Sequence, residues 1–305
     1  MARPTFIAAA VAVTGAITWL YVRHRRRRSP WALVICAVSE EAIFVEAELS
    51  NAATLTLSGT VAGNTKVLRG QIGGIRVDVV TCGIGSVDAA MVTTAALLEA
   101  PCPPIAVLSV GCAGAHADFT KSGDVVLGSA AVPTAYKMVR EDGRPEHVGL
   151  RFTTSDEPMA DLPASGRLLD VAKTAAASMD LPAWPTTPKR RPMVHTGKIC
   201  SSDIWTQQPA EIHRMHTELG TLCEEMEAFS VARVCMAMGS GGGGVPWLAI
   251  KDVVNSELEP VEGAAEETGL GESILLGEVG KRAAMIAVAT LRRLAAMHWN
   301  RSDAP

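Results

Sequence analysis

From Trp31 onward the sequence alternates short, almost wholly apolar runs with longer stretches of helical composition, and this restricts the chain to an α/β fold more tightly than any other feature. An apolar run of roughly four to eight residues bounded by turn residues fits a strand buried on both faces, which belongs in a sheet covered by helices. WALVICAV (31–38) reads as the first such strand, and SEEAIFVEAEL (39–49) as a helix with Ser39 placed to cap it. VLRGQIGGIRVDVVTCG (67–83) reads as a hairpin turned at Gly73-Gly74; it runs into Gly83-Ile84-Gly85 and the helix SVDAAMVTTAALLEA (86–100). PIAVLSVGCAGA (104–115) is a second buried strand, and Asp124 to Leu127 a short one after Gly123. Between Tyr136 and Pro192 proline and charge are scattered around one helical stretch, SGRLLDVAKTAAASM (165–179), and PKRRP (188–192) reads as a solvated loop. MVHTGKICSSD (193–203) reads as strand and loop, and TLCEEMEAFSVARVCMAM (221–238) as a strand end passing into a helix. VPWLAIKDVV (245–254) is the last strong strand, before an Ala-rich helix from about Ser273 to His298. No internal repeat is visible. The expected architecture is α/β: a single domain over 31–298 with a central mixed sheet flanked by helices, and a tail at 299–305.

The amino end is a separate problem. Phe6 to Val22 carries no charge, has Trp19 and Tyr21 near its far end, and is followed at once by Arg23-His24-Arg25-Arg26-Arg27-Arg28. That run is near the lower limit for crossing a bilayer. A cleaved signal peptide would carry its charge before the apolar run, so residues 1–30 are expected to be a retained membrane anchor with its arginine cluster, and the body to face the cytosol, with a targeting leader or a frayed basic tail as the alternative.

Charge and cysteine usage narrow the function. The first thirty residues hold six arginines and no acid, so a net charge of −4 for the 305-residue chain leaves −10 on the remainder. No nucleic-acid partner is expected of such a surface. The seven cysteines are odd in number and lack a C-x-x-C pair, so neither a disulfide framework nor a metal site is suggested, and the body is expected in a reducing compartment.

Acids stand where strands give way to helices, the usual place for ligand contacts in an α/β sheet: Glu40 and Glu41, Asp203, and Glu225 with Glu227. Each also suits a helix start, where the macrodipole favours an acid. The small-residue strand ends GIG (83–85) and GCAGA (111–115), with Cys112, Ala113 and Gly114, leave room for a ligand against the backbone. Neither run matches a nucleotide-phosphate fingerprint.

In order, AVSEEAIFV (37–45), TCGIGSVDAA (81–90), VLSVGCAGA (107–115), GDVVLG (123–128), GKICSSDIW (197–205), EEMEAFSVARVC (224–235) and VPWLAIKDVVN (245–255) resemble the successive motifs of the nucleoside phosphorylase and nucleosidase superfamily. The nearest likeness is to the 5′-methylthioadenosine/S-adenosylhomocysteine nucleosidases, and Glu225-Met226-Glu227 is its most specific piece. The resemblance implies a nucleoside phosphorylase-like fold, a small-molecule purine nucleoside as substrate, hydrolysis of its N-glycosidic bond, no cofactor and a homodimer. It also implies roles: Glu227 grips the ribose hydroxyls with Glu225 beside it, Met226 packs on the sugar face, Glu41 takes a proton from the attacking water, and Trp205 stacks near the base with Asp203 steadying its loop. Lys251 stands where the family has an arginine that helps hold that water, which keeps the charge and loses the planar fork.

Two departures matter. Asn255 stands where the family carries a catalytic aspartate that donates to purine N7, and an amide donates a hydrogen bond without delivering a proton. Asp252, three residues earlier, is expected to lie too deep in its strand to substitute. Phosphorylases of the superfamily hold phosphate with arginines, one just ahead of the GCAGA strand end, where this chain has Ser109. Water is therefore the expected nucleophile, with a phosphate-dependent phosphorylase and a non-catalytic nucleoside-binding or storage relative as alternatives.

Overall fold

The computed structural model describes residues 30–57, 65–143, 145–147, 161–185, 190–239, 244–256, 258 and 277–302. The six residues of β1 (Trp31–Cys36) are all buried, as an uninterrupted apolar run at a sheet centre requires. β1 pairs in parallel with β4 (Ile75–Thr81) on one side and β5 (Ala106–Ala115) on the other. Beyond β4 lie β3 (Lys66–Ile72) and β2 (Ser50–Thr56), both antiparallel to their neighbours. The β3–β4 turn is the expected Gly73-Gly74 pair, with φ of 60° and 88°. Two consecutive positive φ values are the geometry of the two-residue hairpin turn that matches strand twist, and glycine adopts it without strain.

Beyond β5 the sheet curls. β12 (Trp247–Asn255) is parallel to β5, β6 (Val125–Pro133) is antiparallel to β12, and β10 (Val194–Ser201) and β11 (Thr221–Glu225) follow in parallel. β11 then pairs back onto β5, antiparallel, through Cys223 to Ala115 and Glu224 to Gly114. β5, β12, β6, β10 and β11 thus form a closed ring on the flank of an otherwise open mixed sheet. The two-residue β9 (Leu162–Pro163) adds to β6, and β7 (Lys137–Val139) and β8 (Pro145–His147) form a separate small hairpin.

Helices cover both faces. α2 (Ser86–Glu99) and α5 (Ala228–Met238) pack their apolar sides on one face. α1 (Ser39–Glu46), α3 (Gly166–Ala176) and the long α6 (Lys281–Ser302) pack on the other. α4 (Pro209–Leu219) leads into β11 and stops at Gly220, whose φ of 71° is the left-handed end of a helix.

Several expectations need correction. Ser39 does not cap α1: Val38 is the capping residue, and the Glu41 carboxylate reaches back to its amide. β6 runs from Val125 to Pro133, longer than expected; the exposed β2 was not expected, and neither was α4, although Ile212, Met215 and Leu219 stand at helical spacing after Pro209. Arg190, expected on a solvated loop, donates at 2.7 Å to the buried Asp124, which also receives the Met193 amide and faces His195 Nε2 at 3.1 Å. Burial works against charge on Asp124, yet these donors hold its carboxyl below the usual value. The anchor expected over residues 1–30, apart from Pro30, lies outside the described residues, as does Ser273; the last helix begins at Lys281 after a turn at 277–280 and continues to Ser302, into the stretch expected as the tail 299–305. Among the described residues no helix is long and apolar enough to cross a membrane.

Candidate active site

β1, β4, β5 and β12 run in the same direction, so their carboxyl ends open on one edge of the sheet. Ligands in α/β proteins gather at such an edge. Here it brings together the α1 start after β1, the GIG loop after β4, the small residues of β5, and the Lys251 to Asn255 end of β12.

Glu41 is 2% exposed. Its Oε2 accepts from the Ala37 amide at 2.9 Å and the Val38 amide at 3.4 Å, and its Oε1 from the Cys112 amide at 2.8 Å. A Cβ at Gly111 would stand 2.5 Å from Glu41 Oε1, so only glycine at that point of β5 lets the carboxylate lie against the strand. An ionised carboxylate offers about four lone-pair sites, so these three donors leave one for a further partner. Burial first, and Glu41 beside it second, push the half-buried Cys112 thiol well above its ordinary pKa, so it stays protonated.

Glu227 ends the β11–α5 junction and is 5% exposed. Its Oε1 accepts from the Gly85 amide at 2.9 Å, which explains the open backbone of the GIG loop: φ at Gly85 is 105°. Its Oε2 lies 3.8 Å from Lys251 Nζ. Burial pushes the Glu227 carboxyl up to about 7, against the pull of Lys251. Lys251 is itself buried and bonded to Glu225 Oε2 at 2.8 Å. Burial opposes its charge, but Glu225, Glu227 and Glu41 together hold its pKa well above the usual lysine value.

Glu225, expected among the sugar contacts, is committed elsewhere. It accepts from the Glu227 amide at 3.1 Å and the Ala228 amide at 2.9–3.0 Å, so it caps α5 while pairing with Lys251. Both its oxygens are occupied, and it sets the position of Lys251 and Glu227. Met226 between them is half-buried, Ala113 is buried and Gly114 half-buried on the β5 end. Asn255 enters from β12 after a register shift against β5 between Val253 and Asn255, and its amide stands about 3.3 Å from where a Gly114 Cβ would be. Asp203 accepts from the Ser86 amide at 2.6 Å and from the Ser86 hydroxyl at 2.5 Å, which ties the loop before Trp205 to the start of α2. Trp205 itself is 51% exposed. Ser109 is buried in mid-strand between Ile35 of β1 and Ala249 of β12, away from the strand ends. Asp252 faces away from Lys251 and bonds the buried Arg282 of α6, so it is a fold anchor on the far face of the sheet.

The sequence pattern of the Phosphorylase superfamily matches residues 32–294, nearly the whole of the described body. The chain belongs to the phosphorylase superfamily. Similar curated proteins within it include the 5′-methylthioadenosine/S-adenosylhomocysteine nucleosidase of Anoxybacillus flavithermus, 29% identical over 66% of this chain and 77% of that one. The protein of the same name from Geobacillus kaustophilus is 26% identical over 85% of this chain and 96% of its own. Among solved structures, futalosine hydrolase of Helicobacter pylori superposes with a TM-score of 0.66 at 19% identity, covering 87% of this chain and 98% of that one, a likeness of fold.

Three residues near the site carry no signal of their own in the sequence. Ser86 looked like an ordinary helix start and is what Asp203 holds. His116 and Glu224 carried no local signal, although both are buried and Glu224 Oε1 accepts from the Thr206 amide at 2.8 Å beside Trp205.

Proposed function

We propose that this member of the phosphorylase superfamily hydrolyses the N-glycosidic bond of a purine nucleoside, with a 5′-methylthioadenosine- or S-adenosylhomocysteine-like compound as the first candidate. The observation that carries this is the buried cluster of Glu41, Glu227 and Lys251 at one strand edge, with Glu41 pinned by three amides and Glu227 by the Gly85 amide. Cleavage passes through a ribosyl cation, so the site must hold the sugar, supply a nucleophile and let the base leave. Glu227 grips the ribose hydroxyls, since a carboxylate accepts two hydroxyl donors with charge-assisted strength. Met226 lies against the sugar face, and Cys112 to Gly114 line the floor. The remaining lone pair of Glu41 orients a water and takes its proton as the oxygen bonds to C1′. The C1′–N9 bond breaks, and its electron pair leaves with the purine. Asn255 donates a hydrogen bond toward N7 and water supplies the proton, which favours bases that leave readily as anions. Trp205 closes over the base, and Asp203 and Ser86 steady its loop.

Water is preferred to phosphate because Lys251, the cation inside the cluster, is already paired with Glu225, and a phosphate without cationic partners would be costly to bury. The test is a panel of purine nucleosides with and without phosphate. Free ribose or 5′-substituted ribose at any phosphate level is expected; ribose 1-phosphate as the main product would establish a phosphorylase. Asn255 also favours a second reading, a nucleoside-binding relative without catalysis. Asn255→Asp separates the two: as a hydrolase the chain should gain on the order of 10²-fold with an adenine nucleoside, whereas a mutant and wild type equally inert would establish the binding reading.

The assembly and address belong to the same proposal. Ile84, Val87, Ile204 and Trp205 are exposed around the Ser86–Asp203 junction, an apolar patch suited to a second copy of the chain in a homodimer. The uncharged 6–22 run and the arginines after it tether the body to the cytosolic face of a membrane.

A further inference from the structure

We propose that His116, Cys200 and Glu224 form a binding site for a thiophilic divalent cation, with zinc the best match, in the wall of the closed strand ring. Two of the residues lie on strands and the third directly after one, and the three strands meet only where the ring closes. Cys200 on β10 and Glu224 on β11 are register partners, Glu224 also faces Gly114 of β5, and His116 follows directly from β5. One donor atom of each, an imidazole nitrogen, the thiol sulfur and a carboxylate oxygen, lies within 4.8 Å of the other two. All three side chains are buried.

Two of these atoms are in a costly state without a cation. His116 Nε2 and Glu224 Oε2 are 3.4 Å apart, both sealed from solvent, and neither makes a hydrogen bond. Buried polar atoms in that condition are rare. The rest of each group is already held: His116 Nδ1 is 2.8 Å from Thr221 Oγ1, and Glu224 Oε1 accepts from the Thr206 amide. An imidazole fixed through one nitrogen with the other free is the usual arrangement of a metal-binding histidine. A proton shared between His116 and Glu224 would relieve that pair without drawing on Cys200, whose thiol lies 3.1 Å from Thr134 Oγ1 and donates weakly to Met215 Sδ at 3.9 Å. The donor set of sulfur, nitrogen and carboxylate oxygen suits zinc. Charge also balances: binding releases the Cys200 proton, and one thiolate with one carboxylate neutralises a dication. Thr134 Oγ1, 3.1 Å from Cys200 Sγ, borders the place a fourth ligand or a water would take. Burial raises the Cys200 thiol well above its ordinary pKa, so the proton leaves only when a metal replaces it.

The experiment uses the full chain, stripped with a chelator and titrated with Co²⁺ as an optical probe, then with Zn²⁺ while thermal unfolding is followed. The expected result is one equivalent of cobalt with a sulfur-to-cobalt charge-transfer band, displacement by zinc, and a rise in Tm with zinc concentration. Cys200→Ser should abolish the band. Glu224→Gln keeps an acceptor for the Thr206 amide and serves if the cysteine variant misfolds; it should weaken binding by about tenfold or more. Wild-type protein that gives no band and whose Tm ignores zinc would overturn the proposal, as would a band that survives in Cys200→Ser or unchanged affinity in Glu224→Gln. None of these readings uses nucleoside cleavage, so their failure leaves the hydrolase proposal standing.

Discussion

Glu41 and Glu227 are both buried carboxylates within one cluster, yet their surroundings give them different chemistry. Glu41 is held by three amides and has one open lone pair, the arrangement that the proposed general base requires. Glu41→Gln keeps the volume and replaces a proton acceptor by an amide; kcat should fall by about 10²–10⁴-fold while thermal unfolding changes little, in steady-state assays beside melting curves. Glu227 has a pKa raised from 4.5 to about 7. The folded chain therefore keeps a proton that the unfolded chain releases, so the stability contributed by this group is full below about 4.5 and is lost as pH rises through about 7. The proposed ribose grip runs the other way, because the ionised form is the acceptor for two hydroxyls. A kcat/KM profile should rise with pH through about 7 in the wild type and lose that limb in Glu227→Gln; a flat wild-type profile would remove Glu227 from the ribose grip.

β12 shows how one strand serves two faces. Side chains alternate across a sheet, so Lys251 reaches the carboxylate cluster while Asp252 reaches Arg282 of α6 on the opposite face. Arg282 is fully buried and also donates to the Pro182 and Ala183 carbonyls and to Glu278, with its guanidinium 5.0 Å from the Trp184 ring centroid. Asp252→Ala would leave that guanidinium short of its carboxylate partner. The cost should fall at the low end of the roughly 3–5 kcal/mol seen for broken buried pairs, because Glu278 remains. Denaturant unfolding of the variant measures it, and a change under about 1 kcal/mol would mean the pair contributes no more than an exposed one. Past Asp252 the register shift breaks the alternation and swings Asn255 toward Gly114, which places the amide at the site edge.

At the scale of the molecule, a deeply buried catalytic body and a basic, apolar amino end make different demands. The body closes one flank of its sheet by pairing β11 with β5, leaves β2 as the open edge, and covers both sheet faces with helices. In the proposed tether the arginine cluster sits at the anionic cytosolic face. Full-length chain should therefore sediment with membranes and resist carbonate, while a form beginning at Trp31 stays in the supernatant with its activity intact. Full-length protein in the soluble fraction would refute the tether.

The division between chain and fold is visible in particular residues. Local order alone was enough for β1, the Gly73-Gly74 hairpin, α2, β5 and β12, because an apolar run or a pair of glycines with positive φ states its own conformation. The proximity of Glu41, Glu227 and Lys251 was legible only through likeness of motif order, since nothing in their spacing brings residues 41, 227 and 251 together. Their separate duties were read from the same likeness, while the donors that hold each of them were not legible. That Glu225 caps α5 and holds Lys251, that Arg190 seals Asp124, and that His116, Cys200 and Glu224 share one pocket of the ring depend on strands far apart in the chain closing on each other. A sequence specifies which side chains are apolar and where the backbone can turn. Only the closed sheet decides which polar groups are stripped of water together, and the loss of water gives each of them its chemistry.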